Sequence, residues 1–375
     1  MTSLRCFRCG EAFAFDPRAY LCPACGIVDG DPAILDVEYD YVAASAAISS
    51  STAKGVFRWL PLLPVDRVGD SLPAGGTPLV AAPRLAARLG LQSLLLKDET
   101  RNPTRCFKDR ATAVFVAMAQ SLGVEDVYCA SAGNAAISLA GFSAHLGLRC
   151  HVYVPSYASE VRLDWLRRFG ADLHVSTGDY DQAYAEAESA GKANGWYSRN
   201  CAFNPFLVEG KKTAGLEIAE QLDAPPDFVV VPVGDGCTLA AIGKGFREAR
   251  EIGIIDRLPR LVGVQSAAAQ PIVNRAHGGG GSDGEGTSRA ESILVRKPRN
   301  VRRLVRELEV SGGEMIAVTD GEIAAAQRDL ATEAGTVAEF TSAATLASLY
   351  RMRAQNPDAI AGKTVVLVIT GGRPD

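Results

Sequence analysis

Phe228-Val-Val-Val-Pro-Val-Gly-Asp-Gly-Cys-Thr238 joins a short, unbroken apolar run to a glycine turn, and Leu239 to Arg250 then continues with helical periodicity. A continuous apolar run suits a strand buried on both faces, as in a parallel sheet, and the glycines punctuate the passage from strand to helix. The same pattern recurs along the chain. Leu94-Leu95-Leu96, Asp126 to Cys129, Cys150 to Val154, Asp172 to Val175, Leu261 to Val264 and Thr364 to Ile369 read as strands. Arg110 to Leu122, Ala135 to Leu146, Ser159 to Phe169 and Tyr180 to Ala193 read as helices between them. This alternation predicts an α/β fold of two open, mostly parallel sheets with helices on both faces.

The chain has 375 residues, 47% hydrophobic and 22% charged, enough to bury one large core or two moderate ones and unlike a disordered chain. Thirty-nine Lys plus Arg against 43 Asp plus Glu leave a net charge of -4, which offers no basic field for nucleic acid. No stretch reaches the roughly 18 apolar residues of a membrane helix. The N-terminus is a polar, cysteine-bearing segment where a signal peptide needs an apolar run, so a cytoplasmic protein is expected.

That segment holds Cys6-Phe-Arg-Cys9-Gly and Cys22-Pro-Ala-Cys25-Gly, two knuckles separated by 12 residues. Four thiolates from Cys6, Cys9, Cys22 and Cys25 complete a tetrahedral shell with no open position, so a zinc ribbon is expected that braces and does no chemistry. Iron in the same cage, or a ribbon that has lost its metal, are the alternatives. A linker is expected from about Asp31 to Gly55, and Gly278 to Gly286, six glycines in nine residues, reads as a mobile loop or hinge.

Active sites of such sheets lie in the turns that leave strand carboxyl ends. Three turns carry suitable groups. In Asn102-Pro-Thr-Arg-Cys-Phe-Lys-Asp-Arg110, Lys108 stands at a helix start beside Arg105 and Arg110, and both the dipole and these charges disfavour its protonated form. Such an amine can form a Schiff base, though many lysines in turns are merely solvated. In Ala130-Ser-Ala-Gly-Asn-Ala-Ala136, Ser131 and the amides of a helix start suit a carboxylate, unless the turn is only a capped helix. In Val233 to Thr238, glycines and Thr238 suit a phosphate monoester, a weak signal taken alone.

Taken in order, these turns and their flanks resemble the threonine-synthase branch of the pyridoxal-phosphate (PLP) enzymes of the tryptophan-synthase-β fold. The resemblance runs through Gly76-Thr77-Pro78-Leu79, Lys97-Asp98-Glu99, Asn102-Pro103-Thr104, Phe107-Lys108-Asp109-Arg110, Ser131-Ala-Gly-Asn134, Val208-Glu-Gly-Lys-Lys-Thr213, Val231-Pro-Val-Gly234, Ser342-Ala-Ala-Thr345-Leu346 and Thr370-Gly371-Gly372. The ribbon, too, is similar to one carried by some threonine synthases and their cysteate-synthase relatives. The resemblance implies that Lys108 carries the cofactor covalently and then moves protons. It implies that Asn134 bonds the cofactor's 3-hydroxyl, and that Ser131 with the amides of Ala132, Gly133, Asn134 and Ala135 grips the substrate carboxylate. Gly234, Asp235, Gly236, Cys237 and Thr238 would cradle the cofactor phosphate, and Thr370 would face the pyridine nitrogen. It further implies a zinc ribbon over 1–30, a large cofactor domain over 31–104 and 205–375, a smaller carboxylate-binding domain over 105–204, and a homodimer.

The resemblance breaks where threonine synthases hold the phosphate of O-phosphohomoserine. Ala135 follows Asn134, Cys201 and Ala202 precede Asn204-Pro205, and Leu207 stands where an arginine is expected. Arg105, Arg162 and Arg199 are the candidates to compensate, or else solvated surface arginines. The expected function is therefore a PLP-dependent β- or γ-replacement or elimination on an amino acid, with an altered substrate-phosphate site. A true threonine synthase, a threonine or serine ammonia-lyase, and a noncatalytic regulator on a retired enzyme fold are the alternatives.

Overall fold

The computed structural model describes residues 2–28, 31–276 and 286–372, so the glycine run from 278 lies, Gly286 apart, outside the described residues. Contacts divide the chain into two units, Met1–Gly75 with Asn102–Lys211, and Gly76–Arg101 with Lys212–Asp375.

The first unit is built on a parallel four-stranded sheet in the order Asp172–Val175, Arg149–Val154, Asp126–Ala130, Tyr197–Ser198. Helix Lys108–Ser121 is buried on nearly every side, from Asp109 to Ala119, which explains why its apolar pattern is broad and its start is so rich in buried polar groups. Its N-terminal segment forms a second, antiparallel sheet of Ala12–Ala14, Ser3–Cys6 and Leu35–Glu38. Phe15 and Tyr20 of that segment meet the ring of Phe206 edge-on at 5.7 and 6.2 Å, and Tyr197 stacks on Phe115 at 4.8 Å.

The expected linker from Asp31 to Gly55 is instead structured. Leu35 and Val37 alternate with half-buried residues along a strand, and Asp40 caps helix Tyr41–Ser49 by accepting from the amide of Ala43. This also moves residues 31–75 out of the large domain in which they were expected. Their strand pairs with Ser3–Cys6, and the hydroxyl of Tyr39 donates to Oε2 of Glu209 at 2.8 Å, both within the first unit.

The second unit holds a six-stranded sheet in the order Glu314–Val318, Arg260–Ser266, Phe228–Pro232, Thr364–Ile369, Ser93–Asp98, Leu79–Ala81, parallel except for the last. Val262 and Val264 face a core shared with helices Pro83–Leu89, Asp320–Ala334 and Phe340–Gln355. Gly263, between them, points to the other face, where a Cβ would come within 2.9 Å of Leu239 on helix Cys237–Glu251. Helices thus cover both faces, as the unbroken apolar strands require. Leu79–Ala81, Glu314–Val318 and Tyr197–Ser198 were not foreseen; all three are short edge strands, two to five residues long, so their apolar signal is weak.

Candidate functional site

In the first unit, the loop before Lys108 is tied at both ends. Asn102 Oδ1 accepts from the amide of Gly75 at 2.8 Å. Asp109, fully buried, accepts from the amide of Thr104 at 2.6 Å and from its hydroxyl at 2.5 Å. Arg105 takes φ +61°, a left-handed conformation rare outside glycine, and its side chain is exposed. The clamp by Asp109 sets where helix Lys108–Ser121 begins, and hence where the amine stands.

Lys108 makes no hydrogen bond or ion pair through its amine among the described residues. Its pKa is lowered, first by burial and then by the charge of Lys211, with Arg199 adding to the effect and Cys201 and Cys106 opposing it. The direction agrees with the sequence reading, but the sources differ: the neighbouring cations come from Lys211 and Arg199, distant in sequence, and not from Arg105 and Arg110. Two adjacent lysines inside the buried start of helix Phe206–Gln221 were the available signal for Lys211.

Arg199 follows the edge strand Tyr197–Ser198 and is 2% exposed. Its Nη2 reaches only the carbonyl of Lys108 at 3.5 Å and the hydroxyl of Thr112 at 3.3 Å, and its Nε has no partner. No carboxylate pairs with it among the described residues. Arg162 lies half-buried in the first turn of helix Glu160–Arg168 and is not among the groups that act on Lys108. Leu207 is fully buried, so the position expected to carry an arginine is core.

The turn after Asp126–Ala130 is held from beside Arg199. Asn200 Oδ1 accepts from the amide of Ala130 at 3.0 Å, and Ser131 Oγ accepts from the amide of Gly133 at 3.1 Å. Residues 131–135 are half-buried, and helix Asn134–Leu146 starts at Gly133 without a side-chain cap. An uncapped helix start with its positive dipole end open is suited to a carboxylate.

In the second unit, Phe228–Pro232 leads into the glycine turn. A Cβ at Gly234 would strike the carbonyl of Ser292 at 2.3 Å, and Gly236 has φ +94° with the carbonyl of Asn300 at 3.1 Å from where a Cβ would stand. Only glycine fits both positions. Helix Cys237–Glu251 has no side-chain cap and no acidic residue in its first turn. Asp235 is turned to the turn's own support, accepting from the amide of Arg299 at 2.6 Å and from Asn300 Nδ2 at 2.5 Å. Cys237 is buried and Thr238 half-buried.

Thr370, at the end of Thr364–Ile369, is half-buried and shares a hydrogen bond of 3.0 Å with the hydroxyl of Ser342. Ser342 also accepts from the amide of Gly371 at 3.0 Å. Thus the Ser-Ala-Ala-Thr-Leu motif positions the terminal Thr-Gly-Gly. Lys97 donates to the carbonyl of Thr77 at 2.6 Å, to Glu217 at 2.7 Å and to Gln221 at 2.9 Å, while Glu217 accepts from the amide of Gly76 at 2.7 Å. The Gly-Thr-Pro-Leu and Lys-Asp-Glu motifs are one buried polar knot.

The four ribbon cysteines offer Sγ atoms that all lie within 4.8 Å of one another. The Cys25 thiol is pushed up to about 12, by the sulfur of Cys9 first and then by burial. Among the described residues no helix is long and apolar enough to cross a membrane.

Residues 71–371 match the family described as pyridoxal-phosphate dependent enzyme. The chain is 36% identical to the threonine synthase of Methanosarcina acetivorans over 382 residues, which cover 99% of this chain and 91% of that one. It is 37% identical to the threonine synthase of Methanocaldococcus jannaschii over 362 residues, covering 93% and 87%. Among solved structures, maize serine racemase matches with a TM-score of 0.69 at 19% identity, over 80% of this chain and 88% of that one. A fungal L-serine ammonia-lyase from Rhizomucor miehei matches at 0.68 and 23%, over 79% and 93%. These last two speak for the fold alone. The chain belongs to the pyridoxal-phosphate-dependent enzymes, as a threonine-synthase-like member of the tryptophan-synthase-β fold that acts by elimination or replacement on an amino acid.

Proposed function

We propose that the enzyme acts on an amino acid whose side chain carries an anionic group, as leaving group or as part of the nucleophile's partner, and that Arg199 recognises this group in place of the missing arginine at position 207. One observation carries the reading: a guanidinium 2% exposed, beside the amine-bearing turn, with two long hydrogen bonds and no carboxylate among the described residues. An isolated buried cation is costly, and a bound anion would offset that cost.

Each unit by itself offers donors suited to PLP. Lys108 supplies an amine whose lowered pKa favours the neutral, nucleophilic form. The uncapped start of Cys237–Glu251, reached over Gly234 and Gly236, suits a phosphate, with Thr238 as a further donor. Thr370 would offer a neutral hydroxyl to the ring nitrogen, and Asn134 an amide to the 3-hydroxyl. Bound PLP supplies an electron sink that makes the α-proton of the substrate acidic. Lys108 Nζ takes that proton from Cα and returns one later in the cycle. Ser131 and the amides from Ala132 to Ala135 hold the α-carboxylate. An uncharged partner at Thr370 would leave the ring nitrogen largely unprotonated and so favour elimination and replacement over transamination.

Zinc in the four-cysteine cage, a homodimer and a cytoplasmic location complete the proposal; the convergent Sγ atoms support the first. The test of the catalytic assignment is the purified protein with PLP. A visible absorption band is expected that is lost in Lys108→Ala, together with all turnover. Incubation with O-phosphohomoserine, O-phosphoserine, O-acetylserine, serine and threonine then compares anionic with neutral side chains. Equal turnover across the two classes rules out the anion reading, and a persistent band in Lys108→Ala rules out Lys108 as the anchor.

A further inference from the structure

On the first unit's sheet, His151 and Asp172 stand in register on adjacent parallel strands, and His174 lies two residues along from Asp172. In-register partners and residues two apart share a face, so the three side chains converge on one side of the sheet. Asp172 Oδ2 is 2.9 Å from His151 Nδ1 and 3.0 Å from His174 Nε2, and all three atoms lie within 4.8 Å of one another.

The protons available do not account for this arrangement by themselves. Asp126 is gripped by Arg149 through Nε at 2.7 Å and Nη2 at 2.5 Å, which fixes it as an acceptor, and His151 Nε2 faces it at 3.0 Å. One ring proton cannot serve both carboxylate contacts of a neutral His151, and in the tautomer with the proton on Nε2, toward Asp126, Nδ1 carries a lone pair. Its Nδ1 lone pair then points at a second carboxylate oxygen 2.9 Å away, and two acceptors at that distance need a cation between them or a second ring proton. A carboxylate that orients a histidine from behind is the arrangement metal sites use to fix the liganding nitrogen.

We propose that His151 Nδ1, Asp172 Oδ2 and His174 Nε2 bind a divalent transition-metal ion of the zinc type. Ligands about 2.1 Å from a metal stand roughly 3.0 to 3.4 Å apart, close to the 2.9 and 3.0 Å from Asp172 Oδ2 to the two ring nitrogens. Two imidazoles and one carboxylate select zinc, nickel or copper over magnesium and calcium. Both rings are held in orientation by stacking, His151 on Trp196 at 3.7 Å and His174 on Tyr153 at 4.3 Å. The side chains of Asp172 and His174 are 58% and 36% exposed, so water completes the shell. The ion staples edge strand Asp172–Val175 to Arg149–Val154, in the sheet whose neighbouring strand carries the Ser131 turn. This site is separate from the four-cysteine cage and independent of the catalytic proposal.

The test is metal stoichiometry and affinity by calorimetry on the full chain, first stripped of metal and then titrated with zinc and, separately, nickel. The wild type is compared with His174→Ala, Asp172→Asn and Asp126→Asn, all with the four cysteines intact and with folding checked by circular dichroism. The expected result is one equivalent fewer in His174→Ala and in Asp172→Asn, and binding roughly 10 to 100-fold weaker in Asp126→Asn. Nickel is also expected to quench Trp196 emission in the wild type and not in His174→Ala. Unchanged stoichiometry and affinity in both ligand variants would mean that the cluster is a solvated ion-pair network, and the proposal falls.

Discussion

Replacing Arg199 with leucine should raise or preserve the stability of the cofactor-free protein while damaging its function, and the two signs together are the test. In the free protein the guanidinium is buried at 2% exposure with contacts of only 3.3 and 3.5 Å and an unpartnered Nε. Leucine removes an uncompensated charge from an apolar setting that includes Cys129, so unfolding free energy is expected to change by about 0 to 2 kcal/mol in the stabilising direction. An arginine retained for packing would do the opposite. With an anionic substrate bound, two charge-assisted hydrogen bonds are lost, each worth about 1.5 to 3 kcal/mol. At the lower bound this is about 3 kcal/mol, or roughly a hundredfold loss in kcat/KM, since each 1.4 kcal/mol is tenfold. The assays are urea unfolding followed by tryptophan fluorescence, and kcat/KM for O-phosphohomoserine or O-phosphoserine against serine or threonine. The reasoning is refuted if Arg199→Leu destabilises by more than about 2 kcal/mol, the size expected of a broken buried network. It is refuted equally if anionic and neutral substrates suffer alike, or if the affinity for PLP drops by the same factor, which would assign the arginine to the cofactor.

The lowered pKa of Lys108 has a definite sign in stability. The unfolded chain, with a lysine near its ordinary value of about 10.4, binds the proton more tightly than the folded one, so stability rises with pH between the folded and unfolded values. In cofactor-free protein, Lys108→Met is expected to be more stable than wild type near neutral pH, with the gap narrowing as pH rises toward that of free lysine. A gap independent of pH contradicts a lowered value. In the second unit, Lys97→Met removes a fully buried cation 2.7 Å from the buried carboxylate of Glu217, and should cost about 3 to 5 kcal/mol in urea unfolding. The double variant with Glu217→Gln should recover part of this, and a loss below about 1 kcal/mol for Lys97→Met alone contradicts a buried pair.

How far the residues announced this arrangement depends on whether a signal was local. Phe228-Val-Val-Val-Pro is apolar at every position because the strand is central and covered on both faces, so its place in a parallel sheet could be read directly. Glu314–Val318 and Leu79–Ala81 lie at the sheet's edges and have no such uniform pattern. The segment from Asp31 to Gly55 misled for a related reason. Leu35 and Val37 make only a two-residue alternation, and its meaning comes from pairing with Ser3–Cys6 some thirty residues earlier. Site residues divide the same way. Lys108 and the glycines of 234–236 announce themselves because a helix start and a tight turn are properties of neighbouring residues.

What acts on Lys108 is not local. Burial weighs first, and the cations that add to it, Lys211 and then Arg199, are delivered by the close approach of two helices and by the sheet order; a Cβ at Gly210 would lie 2.1 Å from the carbonyl of Arg110. That glycine belongs to the motif Val208-Glu-Gly-Lys-Lys-Thr213, so the family pattern records a packing requirement that positions Lys211 one residue later. Arg105 and Arg110, adjacent to Lys108 in sequence, were the natural guess for its charged neighbours. Arg105 projects into solvent from a left-handed backbone, and Arg110 points from the helix into a buried setting of its own. Leu207 fills the core at the start of helix Phe206–Gln221, and Arg199 is buried with an unpartnered Nε at the end of strand Tyr197–Ser198. Under the proposed function, Arg199 supplies the cation for an anionic substrate group from the end of that strand, beside the backbone of Lys108.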